Sequence, residues 1–409
     1  MNQLWWVFQI MDWLLFAAVA FTSLYLLLFS AASLFGRPAP VARAKRMNRF
    51  IVLIPAYKQD KAIMQSVSSV LSQTYPQRMF DVVVISDHEQ EMTNMRLAQH
   101  PITLLTPNFE KSSKAKSLQF AVLNLPQYKI YDVVLVLDAG NIIEPEFLEQ
   151  MNDAFEAAGT KVVQAHRMSK NRDTSAARLD AIFEEINNSI FRRGHIVLGL
   201  SAAINGSGMC YDFEWFKRHI MKVHTAGEDK ELEAMLMREH VFVDYFDYIH
   251  VYDEKTRKTN DFNRQRTRWA STQLHSLVNN IRFLPTAILN RRYDQIDKIV
   301  QWLLVPRTIM MGIIVVMSVV LPFIYFSMAI KWWATGALVM FAFSLATPDY
   351  LVDKNWDKDF LYAPLVIFGG LLSIGLVGKS EAGSRLKGIA DHLPKMPVPK
   401  TFAKKKKIT

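Results

Sequence analysis

The chain has 409 residues, half of them apolar and 21% charged, with a net charge of +10. That mixture is too polar for a transporter and too apolar for an ordinary soluble enzyme, so it points to a soluble domain joined to membrane segments. The single cysteine, Cys210, excludes an internal disulfide and a cysteine-based structural zinc site.

Residues 13–35 are almost continuously apolar, which meets the ~20 residues that a spanning helix needs. Trp5, Trp6 and Trp13 stand at the start of this run, where interfacial tryptophans belong. Arg37, Arg43, Lys45, Arg46 and Arg49 follow it. The positive-inside rule then places the N-terminus outside and the chain beyond Arg37 in the cytoplasm. A secretory signal has a basic start and an apolar run of about 7–15 residues. Here no Lys or Arg precedes Arg37 and the run is longer, so residues 1–36 read as a membrane anchor.

From residue 47 to about 270 the apolar segments shorten. FIVLIP (50–55), DVVVIS (81–86), DVVLVL (132–137) and the weaker KVVQ (161–164) read as strands buried on both faces. Helical patterns lie between them at 61–71, 114–123 and 146–158. This alternation predicts an α/β domain with a mainly parallel sheet and right-handed crossovers. Ligands of such sheets bind beyond the C-terminal strand ends. Pro55, Ala56 and Tyr57, then Asp87 and His88, then Asp138, Ala139, Gly140 and Asn141 occupy those ends.

Residues 271–300 read as interfacial helices. A second apolar block over 302–330 is interrupted by Lys331, Trp332 and Trp333 and resumes over 334–346. It predicts a transmembrane hairpin over 301–350 with its tight turn outside, near Lys331. A last apolar run over 360–377 contains Gly369, Gly370 and Gly375, and the tail carries Lys404, Lys405, Lys406 and Lys407. That tail belongs inside, so 351–409 reads as an interfacial or re-entrant segment with a basic cytoplasmic end. The basic clusters flank membrane segments instead of covering one domain face, which argues against nucleic acid as a partner.

Several residues in the middle of the chain have the chemistry of an anion site. Asp138 could hold a hard divalent cation that bridges phosphate oxygens; alone, it is equally a turn or cap residue. Lys114 and Lys116 open a helix, where they oppose the macrodipole unless an anion lies near. Gly206, Ser207 and Gly208 allow close backbone approach to a ligand. Asp229 of GED (227–229) precedes a helical pattern over 230–239 and is also well placed as an N-cap. Gln265, Arg268 and Trp269 share one helical face by their spacing. Arginine grips phosphate bidentately, and tryptophan stacks on sugars.

In this order the elements PAY, Asp87, Lys114, Asp138, GSG, Glu228-Asp229 and QRTRW (265–269) resemble the motifs of family 2 glycosyltransferases. The similarity is greatest to the membrane-integrated branch with cellulose, chitin and hyaluronan synthases and ceramide glucosyltransferase. It covers about residues 50–269 and the flanking membrane helices. The resemblance implies a GT-A fold and inverting transfer of a sugar, with a UDP-sugar as the usual donor. Pro55, Ala56, Tyr57 and Asp87 would hold the nucleotide, with Lys114 nearby. Asp138 would be the first aspartate of the metal-binding Asp-x-Asp motif, with Mg²⁺ or Mn²⁺ as cofactor. Asp229, beside Glu228, would be the catalytic base, and Arg268 would meet the diphosphate. Gly206, Ser207, Gly208, Gln265 and Trp269 would form the acceptor side.

The chain departs from that pattern at Gly140, where the second carboxylate is missing. Asn141, the diphosphate or waters would have to complete a metal shell. The implied activity is transfer to a lipid or saccharide acceptor at the cytoplasmic face of the inner membrane, in envelope or exopolysaccharide synthesis. Gly140 also motivates an alternative: a catalytically silent, sugar-nucleotide-binding partner of other polysaccharide-synthesis subunits.

Overall fold

The computed structural model describes residues 2–36, 40–225, 227–255 and 259–351. The 360–377 segment and the lysine tail lie outside them.

The short apolar runs form the strands expected of them. β1 is Phe50–Tyr57, β2 Phe80–Asp87, β3 Thr103–Leu105, β4 Val133–Val136, β5 Ile142–Ile143, β6 Val162–Ser169, β7 Met209–Asp212 and β8 Val243–Asp253. All eight belong to one sheet in the order β3-β2-β1-β4-β7-β6-β8-β5. Strands β3, β2, β1 and β4 run parallel, and β7 is antiparallel to both its neighbours. The sheet is therefore mixed and mainly parallel. Every residue of β4 is buried, which explains why it reads as a continuous valine and leucine run. Tyr57 and Asp87 end neighbouring strands in register.

Helices α1 (Asn2–Ala32), α2 (Ile63–Leu71), α3 (Glu91–Leu97), α4 (Lys114–Leu123), α5 (Phe147–Ala158) and α6 (Ser175–Asn188) come first along the chain. α6 runs on through a π-helical stretch, Ser189–Gly194, into the short α7 (His195–Val197). Then follow α8 (Phe213–Ile220), α9 (Glu228–Arg238), α10 (Thr259–Asn280), α11 (Leu284–Leu289), α12 (Tyr293–Leu303), α13 (Arg307–Ile324) and α14 (Phe326–Ala346). One apolar cluster covers each face of the sheet: Val52, Ile54, Val67 and Met151 on one side, Ile51, Leu53, Leu118 and Trp215 on the other. The β-strand alternation of side chains makes this division.

Among the described residues, three helices are long and apolar enough to cross a membrane: residues Trp5–Ala32, α13 and α14. The hairpin of α13 and α14 turns at Tyr325, not near Lys331, which lies inside α14. Two things displace the turn. Pro322 ends the regular ladder of α13, and Lys331 pairs with Asp12 of α1, which also accepts a 2.9 Å bond from Trp332 Nε1. Pairing with a carboxylate offsets the cost of a lysine's charge within an apolar helix. The apolar block is also divided at its start, because Trp302 belongs to α12 and Pro306 separates that helix from α13.

α1 is fastened to the domain that carries the sheet. Tyr25 donates to Asp297 Oδ1 at 2.6 Å, and the His195 ring stacks on Phe29 at 3.8 Å. Gly194 lies against the Phe29 carbonyl, so close that a Cβ would collide with it. The helix carrying Arg268 continues unbroken to Asn280, across the 270/271 boundary read from the sequence.

Candidate active site

A cavity of about 910 Å³ opens at the C-terminal ends of β1, β2 and β4 and reaches α1 and the start of α13. It is lined by Pro55, Ala56 and Tyr57 from β1, by Asp87 from β2 and by Asp138 to Asn141 just after β4. Lys114 of α4, Gly206, Glu228 and Asp229 of α9, and Gln265, Arg268 and Trp269 of α10 complete its middle. Thr22 and Leu26 of α1, with residues 305–308, form the end beside α1 and α13.

Asp87 is buried, and its Oδ1 lies 2.6 Å from His88 Nδ1. Tyr57 stands half exposed beside His88, ring to ring at 5.7 Å. Lys58 and His88, immediately after the two strands, adopt left-handed backbone, so both chains turn sharply away and leave the strand ends open.

Lys114 is the first residue of α4, set by the N-cap Ser113, whose hydroxyl accepts from Lys116 N. Its ammonium lies among three acceptors: Asp138 Oδ1 at 2.5 Å, Glu228 Oε1 at 3.2 Å and the Gly206 carbonyl. Burial works against the charge of Lys114, but Asp138 and Glu228 outweigh it and hold the pKa above the ordinary lysine range. Burial pushes Glu228 up to about 6; Lys114 opposes that rise and Asp229 adds to it.

Gly206 has φ +86°, and a Cβ there would lie 3.6 Å from Lys114 Nζ and 3.9 Å from Asp229 Oδ2. This glycine therefore gives the loop its left-handed turn beside the charged groups. Ser207 and Gly208 stand behind the cavity wall. Ser207 Oγ accepts from Asp138 N and Asn141 Nδ2 at 3.0 and 2.7 Å. Gly208 bonds to the flanking strands through its backbone, and Val251 fills the space beside its Cα.

Asp229 is not the cap of its helix. Gly227 holds that position without a side-chain bond, and Asp229 lies inside the first turn, its Oδ1 accepting from the adjacent Lys230 N. Three carboxylates in that turn suit the positive end of the helix dipole. Gly227 also lets α10 approach: a Cβ there would lie 2.5 Å from Thr272 Cγ2.

The residues for a divalent cation fit poorly. Asp138 Oδ1 is taken by the Lys114 ammonium. Gly140 has no side chain, its φ is +96°, and a Cβ there would lie 3.2 Å from Ala62 Cβ. The Asn141 amide is buried and donates to Ser207. Among the described residues no group of three His, Cys, Asp or Glu side chains could hold a metal ion. Divalent cations take several oxygen ligands and favour carboxylates.

Polar atoms around the cavity are left for a ligand. Asp87 Oδ2, Asn205 Nδ2 and Gln265 Oε1 are buried with no hydrogen-bond partner among the described residues. Such orphans are rare and call for an explanation; a polar ligand in this cavity supplies one.

Of the residues singled out in the sequence, Ser207, Gly208, His88 and Lys116 do not line this cavity, and the other candidate site residues do. Others were not visible in the sequence. Ser66 Oγ accepts from Gly140 N at 2.7 Å and fixes the loop after β4. Glu233, fully buried in α9, lies 3.1 Å from both Lys230 and Lys298. Arg307 reaches Asn187 at 2.6 Å where the cavity meets α13. Its place after Pro306, at the start of an apolar helix, was the available signal.

Residues 48–272, more than half of the chain, match the family model described as glycosyltransferase like family 2. No curated protein sequence matches the chain. Among solved structures, the chain is similar to the mannosyltransferase PcManGT from Pyrobaculum calidifontis in complex with GDP-Man and Mn²⁺. Identity is 14%, with 88% of this chain and 97% of that chain covered at a TM-score of 0.51. It is also similar to S. aureus TarS 1–349 in complex with UDP-GlcNAc, at 15% identity, covering 81% and 92%, with a TM-score of 0.40. At these identities the likeness to PcManGT concerns the fold, and the mixed sheet with its flanking helices is that of a GT-A glycosyltransferase. With more than half its length in the family model, the chain belongs to glycosyltransferase-like family 2 and is a glycosyltransferase.

Proposed function

We propose that the chain is an inverting glycosyltransferase that moves a sugar from a UDP-sugar to a hydroxyl of a lipid or saccharide acceptor at the cytoplasmic membrane face. The observation that carries this reading is the convergence of Lys114, Asp138, Asp229 and Arg268 on one cavity that also reaches α1 and α13. Tyr57 and the half-paired Asp87 lie where a nucleoside base would sit. Lys114 and Arg268 meet the diphosphate. The acceptor oxygen attacks the anomeric carbon as Asp229 takes its proton, and the diphosphate leaves with the bonding electrons. General-base help of this kind is worth about 10²–10⁴-fold. Cations held beside the leaving group stabilise the charge that develops on it. Trp269 and Gln265 hold the acceptor.

Residues 1–36 anchor the chain, 47–270 form the cytoplasmic domain, and 271–350 return it to the inner membrane through interfacial helices and a hairpin. The basic residues after α1 support this orientation. Thr22, Leu26 and residues 305–308 at one end of the cavity support an acceptor that arrives from the membrane, as expected in envelope or exopolysaccharide synthesis. A panel of UDP- and GDP-sugars with membranes containing the overproduced chain tests the reading. Transfer of label from one UDP-sugar to extractable lipid or polymer is expected.

Gly140 favours a second reading, a silent sugar-nucleotide-binding subunit of a synthase complex. Nucleotide binding without turnover of any donor would support that reading and reject the first.

A further inference from the structure

The loop after β4 and the start of α9 bring carboxylates together, yet the cation among them belongs to the protein. Lys114 Nζ is held by Asp138, Glu228 and the Gly206 carbonyl at once. A metal ion bound to Asp138 would have to share that carboxylate with an ammonium 2.5 Å from one of its oxygens, and like charges that close repel strongly.

The loop offers no second carboxylate in exchange. Position 140 is a glycine with φ +96°, pinned by the bond from its N–H to Ser66 Oγ and packed against Ala62. The Asn141 side chain is turned into the wall by Ser207. Lys114 itself is anchored at both ends. Its backbone opens α4 behind Ser113, and its side chain is only 21% exposed. It borders the same cavity as Asp229 and Arg268.

Resting on the nucleotide-sugar reading above, we propose that the Lys114 ammonium, and not a divalent metal ion, is the cation that faces the sugar diphosphate. When the bond from the anomeric carbon to the diphosphate oxygen breaks, the electron pair stays on that oxygen. Lys114 meets the new charge, while the acceptor proton goes to Asp229. Lys114, paired with Asp138 and Glu228 in this structure, exchanges part of that pairing for phosphate oxygens on binding. The missing carboxylate at position 140 then follows, because a site whose cation is built into the chain needs no second ligand for a metal.

The test is direct binding to the purified full chain in detergent, by calorimetry with UDP and with GDP, in EDTA and in excess MnCl₂. A parallel titration follows free Mn²⁺ by electron paramagnetic resonance. The expected result is nucleotide binding in EDTA, no tightening by Mn²⁺, and no loss of the free Mn²⁺ signal when protein and nucleotide are added. Lys114→Met should weaken nucleotide binding by about tenfold or more, and Lys114→Arg should restore part of it, since a charged donor to phosphate is what is lost. Binding that appears only with Mn²⁺, together with loss of the free Mn²⁺ signal, overturns the proposal and leaves the nucleotide-sugar reading standing. No binding of either nucleotide in any condition rejects both. The wild-type arms decide the question even if Lys114→Met does not fold.

Discussion

Lys298 Nζ lies 3.1 Å from Glu233 Oε1, and both side chains are almost completely buried. Glu233 also holds Lys230 and accepts from Ile204 N at 3.1 Å. One carboxylate thus ties α12, just before the hairpin of α13 and α14, to the helix whose first turn carries Glu228 and Asp229. Two opposing lysines outweigh burial and hold Glu233 below the usual carboxylate range. Glu233→Gln would strip the buried Lys298 ammonium and the partly buried Lys230 ammonium of their shared counter-charge. Removing one partner of a buried pair costs about 3–5 kcal/mol. The expected outcome is a large drop in the melting temperature of the purified protein, measured by intrinsic fluorescence.

Gly194 sets a second joint. Its missing side chain lets the π-helical stretch approach the Phe29 carbonyl of α1. Gly194→Ala forces the two backbones apart, and overpacking of this kind costs about 1–3 kcal/mol. The variant should melt at a lower temperature. Gly199→Ala is the contrast for space: no atom lies within 4 Å of a Cβ there, although its φ of +75° adds local strain.

Glu228 gives the site a pH dependence of definite sign. Burial raises its pKa to about 6. A diphosphate arriving beside it raises that pKa further, so binding takes up a proton, and affinity for a nucleotide-sugar rises as the pH falls from neutrality towards about 6. Calorimetry in buffers of different ionisation enthalpy should detect the proton. Glu228→Gln should abolish the uptake and flatten the profile; an unchanged slope in that variant would assign the titration to another group.

The central strands were legible because each is a run buried on both faces. The valines of β4 have no solvent side to alternate with. β7 was not, since its four residues follow the small-residue loop at 205–208 and owe their pairing to β4 and β6, which come earlier in the chain. β8 mixes tyrosine, aspartate and histidine through half-buried positions and lacks the pattern of an interior strand. The turn between α13 and α14 was misplaced because Lys331 reads as a loop residue until Asp12, more than three hundred residues away, is seen beside it. In the site, the residue types at the strand ends were visible. That Lys114 pairs with Asp138 depends on α4 packing beside the loop after β4, which no local pattern encodes.

The role of Asp229 as the base is tested most directly by comparing wild type with Asp229→Asn for two quantities, sugar transfer and nucleotide binding. Asp229 lies in the first turn of α9, beside Gly206 and within the cavity, and asparagine keeps its shape while removing the base. Transfer should fall by about 10²–10⁴-fold, with the affinity for UDP or GDP within a small factor of wild type. Transfer at the wild-type rate in Asp229→Asn would contradict that role.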